Sequence, residues 1–252
     1  MPTLRLLRGN SISLGDALTD DDNILHRLDY PQKQEDFCEI ESVVSFHLGV
    51  KHCQVADQAE WLCGSYNVCI PVYINLPSEN CVLIRIPRPY KVGEENIPGN
   101  VDEKLRCEVA TYIWIRENCP DVPIPTLYGF AFPNGQTFCD GRSNALQYLG
   151  RAPPGDKTRR QTLFGDIAKI MLSLDRVKLP RIGSLTLDDD GLIELKNRPL
   201  TLRLQTFENE DIPTIPRNST YHSVEPYILD LLQLHDNRIH HQPNAIHNLN
   251  DG

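Results

Sequence analysis

The sequence predicts an α+β fold, with an amino-terminal antiparallel sheet, one helix turned in against it, and an incomplete helical part on the carboxy-terminal side. Three observations carry that expectation. Two candidate strands, residues 67–76 and 81–86, flank the turn Pro77-Ser78-Glu79-Asn80. Apolar residues recur at helical spacing over residues 102–116 and again over 163–174. Of the 252 residues, 40% are apolar and 23% charged, the balance of an ordinary globular chain.

Taken in order, residues 1–36 are polar, with the acidic run Asp20-Asp21-Asp22, and are expected to form an irregular arm. Phe37, Ile40, Val43, Val44 and Leu48 then follow the spacing of an amphipathic helix, which Gly49 is placed to end. The residues before Gly64 join the two candidate strands in a small antiparallel meander. Pro87, Pro89, Gly93, Pro98 and Gly99 mark a loop. In the next helix Leu105, Val109, Tyr112 and Ile113 form the expected buried stripe, and Asn118 and Pro120 stop it. Residues 124–132 give one or two further strands. Residues 133–160 carry little apolar periodicity and end in Lys157, Arg159 and Arg160, a solvated basic loop. The helix at 163–174 presents Leu163, Ile167, Ile170, Met171 and Leu174. Residues 182–187 and 192–195 flank Asp188-Asp189-Asp190-Gly191, a hairpin signal. Residues 196–222 read as loop. Ser223 then caps a last helix, with Pro226 in its first turn and Tyr227, Ile228, Leu231 and Leu232 on one face. Residues 241–252 read as a polar tail, and there is no internal repeat.

Charge and cysteine usage exclude several classes of function. The formal charge of −9 repels a phosphate backbone, so no nucleic-acid partner is expected. No run of about 20 apolar residues exists, so no membrane partner is expected either. The first 22 residues have two early arginines but a broken apolar run, a poor signal peptide. None of the eight cysteines forms a C-x-x-C pair or stands with a histidine at zinc-ligand spacing. They read as reduced, buried thiols of a cytoplasmic protein. His235, His240, His241 and His247 have no acid or cysteine at fitting spacing, so a polar tail is expected there and no metal.

The order of elements carries the functional suggestion. A glycine turn between two strands, a basic residue on the next strand and an acid on the next helix form an arrangement that can hold a nucleotide's phosphates. Glycine lets backbone N–H groups approach phosphate oxygens. The basic residue pairs with the α/β-phosphates, and the helix glutamate holds that side chain in place. Gly64 is the turn glycine; composition alone gives a simple hairpin there, and it is the downstream Arg85 and Glu108, in that order, that favour a phosphate loop. Arg85 is the basic candidate; alternation puts Val82 and Ile84 on one face and Leu83 and Arg85 on the other. Spacing alone also fits a surface arginine on an edge strand. Glu108 lies about 40° from Tyr112, beside the apolar stripe, where a flanking solvated acid is the alternative.

These segments resemble the fungal branch of the aminoglycoside phosphotransferase-like proteins. The resemblance rests on GSYNVCIPV (64–72), LIRIP (83–87), YKVGEE (90–95), KLRCEVATY (104–112) and PIPTLYG (123–129). LPRIGS (179–184), NRPL (197–200), HDNR (235–238) and QPNA (242–245) extend it, so that it covers roughly residues 37–247. It implies a protein-kinase-like fold and transfer of the γ-phosphoryl group of ATP to a hydroxyl, with Mg²⁺. It also implies a kinase-like amino-terminal lobe at 37–155 and a partial carboxy-terminal lobe at 156–240. Within it Gly64, Ser65 and Asn67 belong to the phosphate loop, Arg85 stands where the family has a lysine, and Glu108 is its partner. A planar guanidinium does not replace a compact ammonium freely.

Two larger departures lead to an expectation of no catalysis. QYLGRAPP (147–154) runs almost directly into the helix before 174, so the adenine-binding hinge strand is expected to be deleted. The catalytic loop, H-x-D-x-x-x-x-N followed by a metal-binding Asp, is absent. His235-Asp236-Asn237 has the wrong spacing, and the Asp188–Asp190 run precedes it and fits a turn. The expectation is a truncated, inactive homologue; a non-catalytic pseudokinase-like interaction protein and an incomplete gene product are the alternatives. No acceptor substrate is legible.

Overall fold

The computed structural model describes residues 7–8, 34–74, 81–134, 136–139 and 157–242. The expected turn at 77–80, the segment 147–156, most of the amino-terminal arm and the tail beyond Gln242 lie outside the described residues. Among the described residues the protein is mixed α and β, with small antiparallel sheets and five α-helices. The predicted α+β class therefore holds at this level.

Helix α1 (Gln34–Leu48) lies beneath a sheet formed by β2 (Cys53–Val55), β3 (Leu62–Cys63), β4 (Asn67–Ile74) and β5 (Cys81–Pro87). Strand β4 is central. One edge pairs with β5 over seven residue pairs; the other pairs with β3 near its start and β2 near its end. Pro71 sits in the gap between β3 and β2. Its carbonyl accepts the Ala56 N–H at 2.9 Å, so its ring nitrogen faces that same edge, where no ladder donor is needed. Burial alternates strictly along β4: Val68, Ile70, Val72 and Ile74 are buried, and the first three pack with Ile40 and Val44 of α1. Asn67, Cys69, Pro71 and Tyr73 face the other way.

Helix α2 (Asn100–Asn118) belongs to a second core. Its Val109, Ala110 and Ile113 pack on Phe132, Phe138, Leu185 and Leu187. These come from β6 (Gly129–Ala131), β7 (Thr137–Cys139) and the hairpin β8 (Ser184–Leu187) and β9 (Ile193–Asn197), or from residues beside them. The buried stripe departs from Leu105, Val109, Tyr112 and Ile113. Leu105 and Tyr112 are only half-buried, whereas Asn100, Glu103, Lys104, Cys107 and Ala110 are buried. The reason is that α2 is enclosed on more than one side, so a single amphipathic stripe describes it poorly. The hairpin formed as expected: Asp188 accepts the N–H groups of Asp190 and Leu192, and Gly191 takes a φ of 81°.

Five further expectations need correction. Strand β7 lies where little periodicity was seen, and β1 (Leu7–Arg8) pairs with it from within the supposedly irregular arm. Strands of two or three residues are too short to show a pattern. Residues 196–222, read as loop, contain α4 (Leu202–Asn209), whose Thr201 accepts the Leu204 N–H at 3.3 Å. Helix α3 spans Lys157–Asp175, beginning in the supposed basic loop, and leaves Leu163, Ile167 and Met171 exposed among the described residues. In α5 (Val224–His241) Tyr227, Leu231 and Leu234 pack into a third core with Leu204, Phe207, Ile212, Ile215 and Tyr221; Ile228 and Leu232 are exposed. Spacings i, i+4 and i+7 select the first three, and the other two form a neighbouring row.

A buried ionic cluster ties α2 to the chain beyond β9. The Arg198 side chain, 2% exposed, donates from Nε to Glu103 Oε1 at 2.8 Å and from Nη2 to Glu103 Oε2 at 2.6 Å. Its Nη1 donates to Glu208 Oε1 of α4 and, at 2.7 Å, to the Ile215 carbonyl. Arg217 adds a second cation, donating from Nε to Glu103 Oε2 at 3.2 Å and from Nη2 to Asn100 Oδ1 at 2.8 Å. Removing one partner of such a set leaves a buried charge uncompensated. Arg198→Met is expected to lose on the order of 3–5 kcal/mol of stability in urea unfolding; a midpoint close to wild type would contradict this role.

The described cysteines are unpaired, but they are not uniformly buried as expected. Cys107 and Cys119 are buried, and Cys38 and Cys63 are exposed. Burial, reinforced by Glu103, pushes the Cys107 thiol up to about 12 from an ordinary 9.0. Above pH 9 the unfolded chain releases this proton first, so stability falls as pH rises through that window. Native-state alkylation followed by mass spectrometry should label Cys38 and Cys63 quickly and spare Cys107 and Cys119 until the protein unfolds.

Candidate functional site

Strands β4 and β5 set Cys69 opposite Arg85, on the face turned away from α1. From there the Arg85 guanidinium reaches Glu108 of α2, with Nη1 3.3 Å from Oε2 and Nη2 3.4 Å from Oε1. Both side chains are partly open, 44% exposed for Arg85 and 32% for Glu108. An ion pair this exposed adds under about 1 kcal/mol to stability. The structure thus brings together the two side chains that the sequence singled out as partners.

A third member of the site was not anticipated. Lys104, one helical turn before Glu108, places its ammonium directly on Glu108 Oε1. Its side chain is only 4% exposed. Desolvation lowers its pKa, and the charge and hydrogen bond of Glu108 act against that shift. A buried lysine is costly unless paired, and Glu108 is its pair. The sequence signal was the Lys-x-x-x-Glu spacing, which puts the two side chains on one helix face.

The glycine turn has a different character from the one expected. Gly64, Ser65 and Tyr66 join β3 to β4, and the Gly64 N–H donates to the Asn67 carbonyl at 2.8 Å. That amide is therefore spent on closing the hairpin. Gly64 does not adopt a left-handed backbone, and a Cβ there would meet only the Asn67 carbonyl, at 3.4 Å, an ordinary contact. Ser65 is exposed. Arg88 braces the turn: its N–H donates to the Tyr66 carbonyl at 2.9 Å and its Nη1 to the Gly64 carbonyl at 3.4 Å. The Tyr66 hydroxyl meets Thr206 Oγ1 of α4 at 2.8 Å. Asn67 shares the outer face with Cys69 and Arg85, and its buried Oδ1 has no partner among the described residues.

These residues fit the groups implied by the resemblance unevenly. Arg85 can present a planar fork to a phosphate. The turn offers less than a phosphate loop should, because the Gly64 amide is already engaged. Among the described residues no group of three or more His, Cys, Asp or Glu is placed to hold a metal ion, so Mg²⁺ finds no ready donor set there. Also among the described residues, no helix is long and apolar enough to cross a membrane.

Beside the site, the loop after β5 is locked onto α4. Gly93 adopts a φ of 76°, and a Cβ there would stand 2.7 Å from the Asn209 nitrogen and 2.7 Å from the Glu208 carbonyl carbon. Asn96 Nδ2 donates to the Glu208 carbonyl at 3.0 Å. The Glu94 carboxylate accepts from the Gly99 and Val101 N–H groups, both at 2.7 Å, and so caps the start of α2.

No protein-family model matches this chain, and no curated protein or solved structure matches it either.

The two glycines should answer differently to alanine. Gly93→Ala must displace backbone and is expected to cost about 1–3 kcal/mol in denaturant unfolding. Gly64→Ala should stay within about 0.5 kcal/mol of wild type. Equal losses at both positions would contradict the turn geometry described above.

Proposed function

We propose that this protein is a non-catalytic relative of the aminoglycoside phosphotransferase-like, kinase-fold proteins, retaining a site for the phosphates of ATP on the outer face of β4 and β5. The observation that carries this reading is the Arg85–Glu108 pair, formed between the strand and the helix that the resemblance designated. Arg85 is the phosphate-binding group, and Glu108 orients it. The hairpin at Gly64, Ser65 and Asn67 borders the site, and a donor on a bound nucleotide would relieve the unpartnered Asn67 Oδ1. The orphaned acceptor otherwise costs about 1–3 kcal/mol.

Catalysis is not part of the proposal. Phosphoryl transfer needs an aspartate to orient the hydroxyl and further groups for the metal, and positioning by those groups supplies most of the rate. The sequence lacks the loop that carries them. The unpaired cysteines support a reducing compartment, and we place the protein in the cytoplasm. Its role is then that of a pseudokinase-like interaction protein whose partners respond to the nucleotide.

Calorimetric titration with ATP, with and without Mg²⁺, tests the reading. Heat in the micromolar range is expected, lost in Arg85→Ala and Glu108→Ala, with no γ-phosphoryl transfer above background. Absence of heat in every condition would overturn nucleotide binding, and measurable transfer would overturn inactivity.

A further inference from the structure

Glu108 is shared between two cations, which changes the charge of the site. In a site with one cation and one carboxylate, the two charges cancel, and a bound metal supplies the positive charge that holds a polyphosphate. Here Lys104 and Arg85 both converge on a single carboxylate. One positive charge is left over before any ligand arrives, on a chain whose formal charge is −9.

The two cations are not equivalent. Lys104 is almost fully buried and is tethered to the same helix, four residues from its partner. Its burial and its place one turn away hold the ammonium against Glu108, so it offsets the charge of the carboxylate. Arg85 makes only long contacts to Glu108, at 3.3 and 3.4 Å, and keeps 44% of its side chain in solvent. With the charge of the carboxylate already offset by Lys104, the charge of the guanidinium is available to an anion while Glu108 still orients it. A divalent cation approaching the same place would meet two positive side chains and a carboxylate whose charge is taken.

We propose that this site binds the polyphosphate of a nucleoside triphosphate as the metal-free anion, with Lys104 as the positioning residue that neutralises Glu108 and releases Arg85 for the phosphate. This rests on the phosphate-binding reading given above and adds to it the ionic form of the ligand. The charge held by Mg²⁺ in a metal-loaded site is held here by the protein.

The experiment compares dissociation constants of the full chain for ATP in EDTA and for ATP with excess Mg²⁺, with tripolyphosphate as competitor. Wild type is expected to bind ATP about tenfold tighter in EDTA, and tripolyphosphate should displace it. In Lys104→Met the surplus charge is gone, so the preference should vanish or reverse; in Lys104→Arg it should persist. A merely structural lysine would change both constants together and leave their ratio unmoved. Tighter binding with Mg²⁺ in wild type, an unchanged ratio in Lys104→Met, or no displacement by tripolyphosphate would each overturn the inference while nucleotide binding itself stands. Absence of binding in both conditions would overturn the phosphate-binding reading and this inference together.

Discussion

The buried Arg198 guanidinium is the constraint around which the described structure is arranged. It joins the first turn of α2 through Glu103, the end of α4 through Glu208, and the irregular segment beyond α4 through Thr214 and the Ile215 carbonyl. Two carboxylates and two guanidinia, Arg198 and Arg217, meet there, so the cluster is close to neutral. Buried ion pairs seldom stabilise more than well-packed apolar residues would. Their effect is on placement: an arrangement that shifted α2 by one turn would leave a charge stranded in the interior.

That placement is what creates the candidate site. Glu108 follows Glu103 by five residues, about 7.5 Å along the helix axis and roughly 140° around it. Fixing Glu103 toward the carboxy-terminal segment therefore turns Glu108 toward β5. The sheet and α2 belong to separate apolar cores, and the bridge from Arg85 to Glu108 is polar. The loop between them carries the remaining restraint, through the close approach of Gly93 to α4 and the capping of α2 by Glu94. The site is thus built at a seam, with its acid set by one core and its arginine by another.

How much of this was legible follows from the range of each interaction. The alternation of Val82, Ile84 and Arg85 and the helical spacing around Glu108 are local patterns, and both were readable. So was the Asp188–Gly191 hairpin. Lys104 gives no such signal, because a lysine within a helix is ordinarily solvated and nothing local announces that this one is buried. Arg198 sat inside a motif noticed for its resemblance, but its charge partner Glu103 lies 95 residues away. The Gly64 turn is legible only in part. Its composition reads as a hairpin turn, and the downstream Arg85 and Glu108 argue for a phosphate loop; the hydrogen bond from the Gly64 N–H to the Asn67 carbonyl closes it as a hairpin, and the direction of an amide is not written in local composition.

The separation of 95 residues between Glu103 and Arg198 also sets an order of assembly. A chain emerging amino terminus first can complete the α1 and β2–β5 core early, since its contacts are local and its loops short. Helix α2 can form in the same period, with Lys104 and Glu108 already neighbours on its surface. Its Glu103 must stay hydrated until residue 198 has been synthesised, because burying an unpaired carboxylate is prohibitive. The apolar partners of α2 at Phe132, Phe138, Leu185 and Leu187 are all synthesised before Arg198, so the ionic cluster is the later of the two attachments of this helix. Arrival of Arg198 then closes the cluster and ties the start of α2 to α4 and to the segment at Thr214 and Ile215.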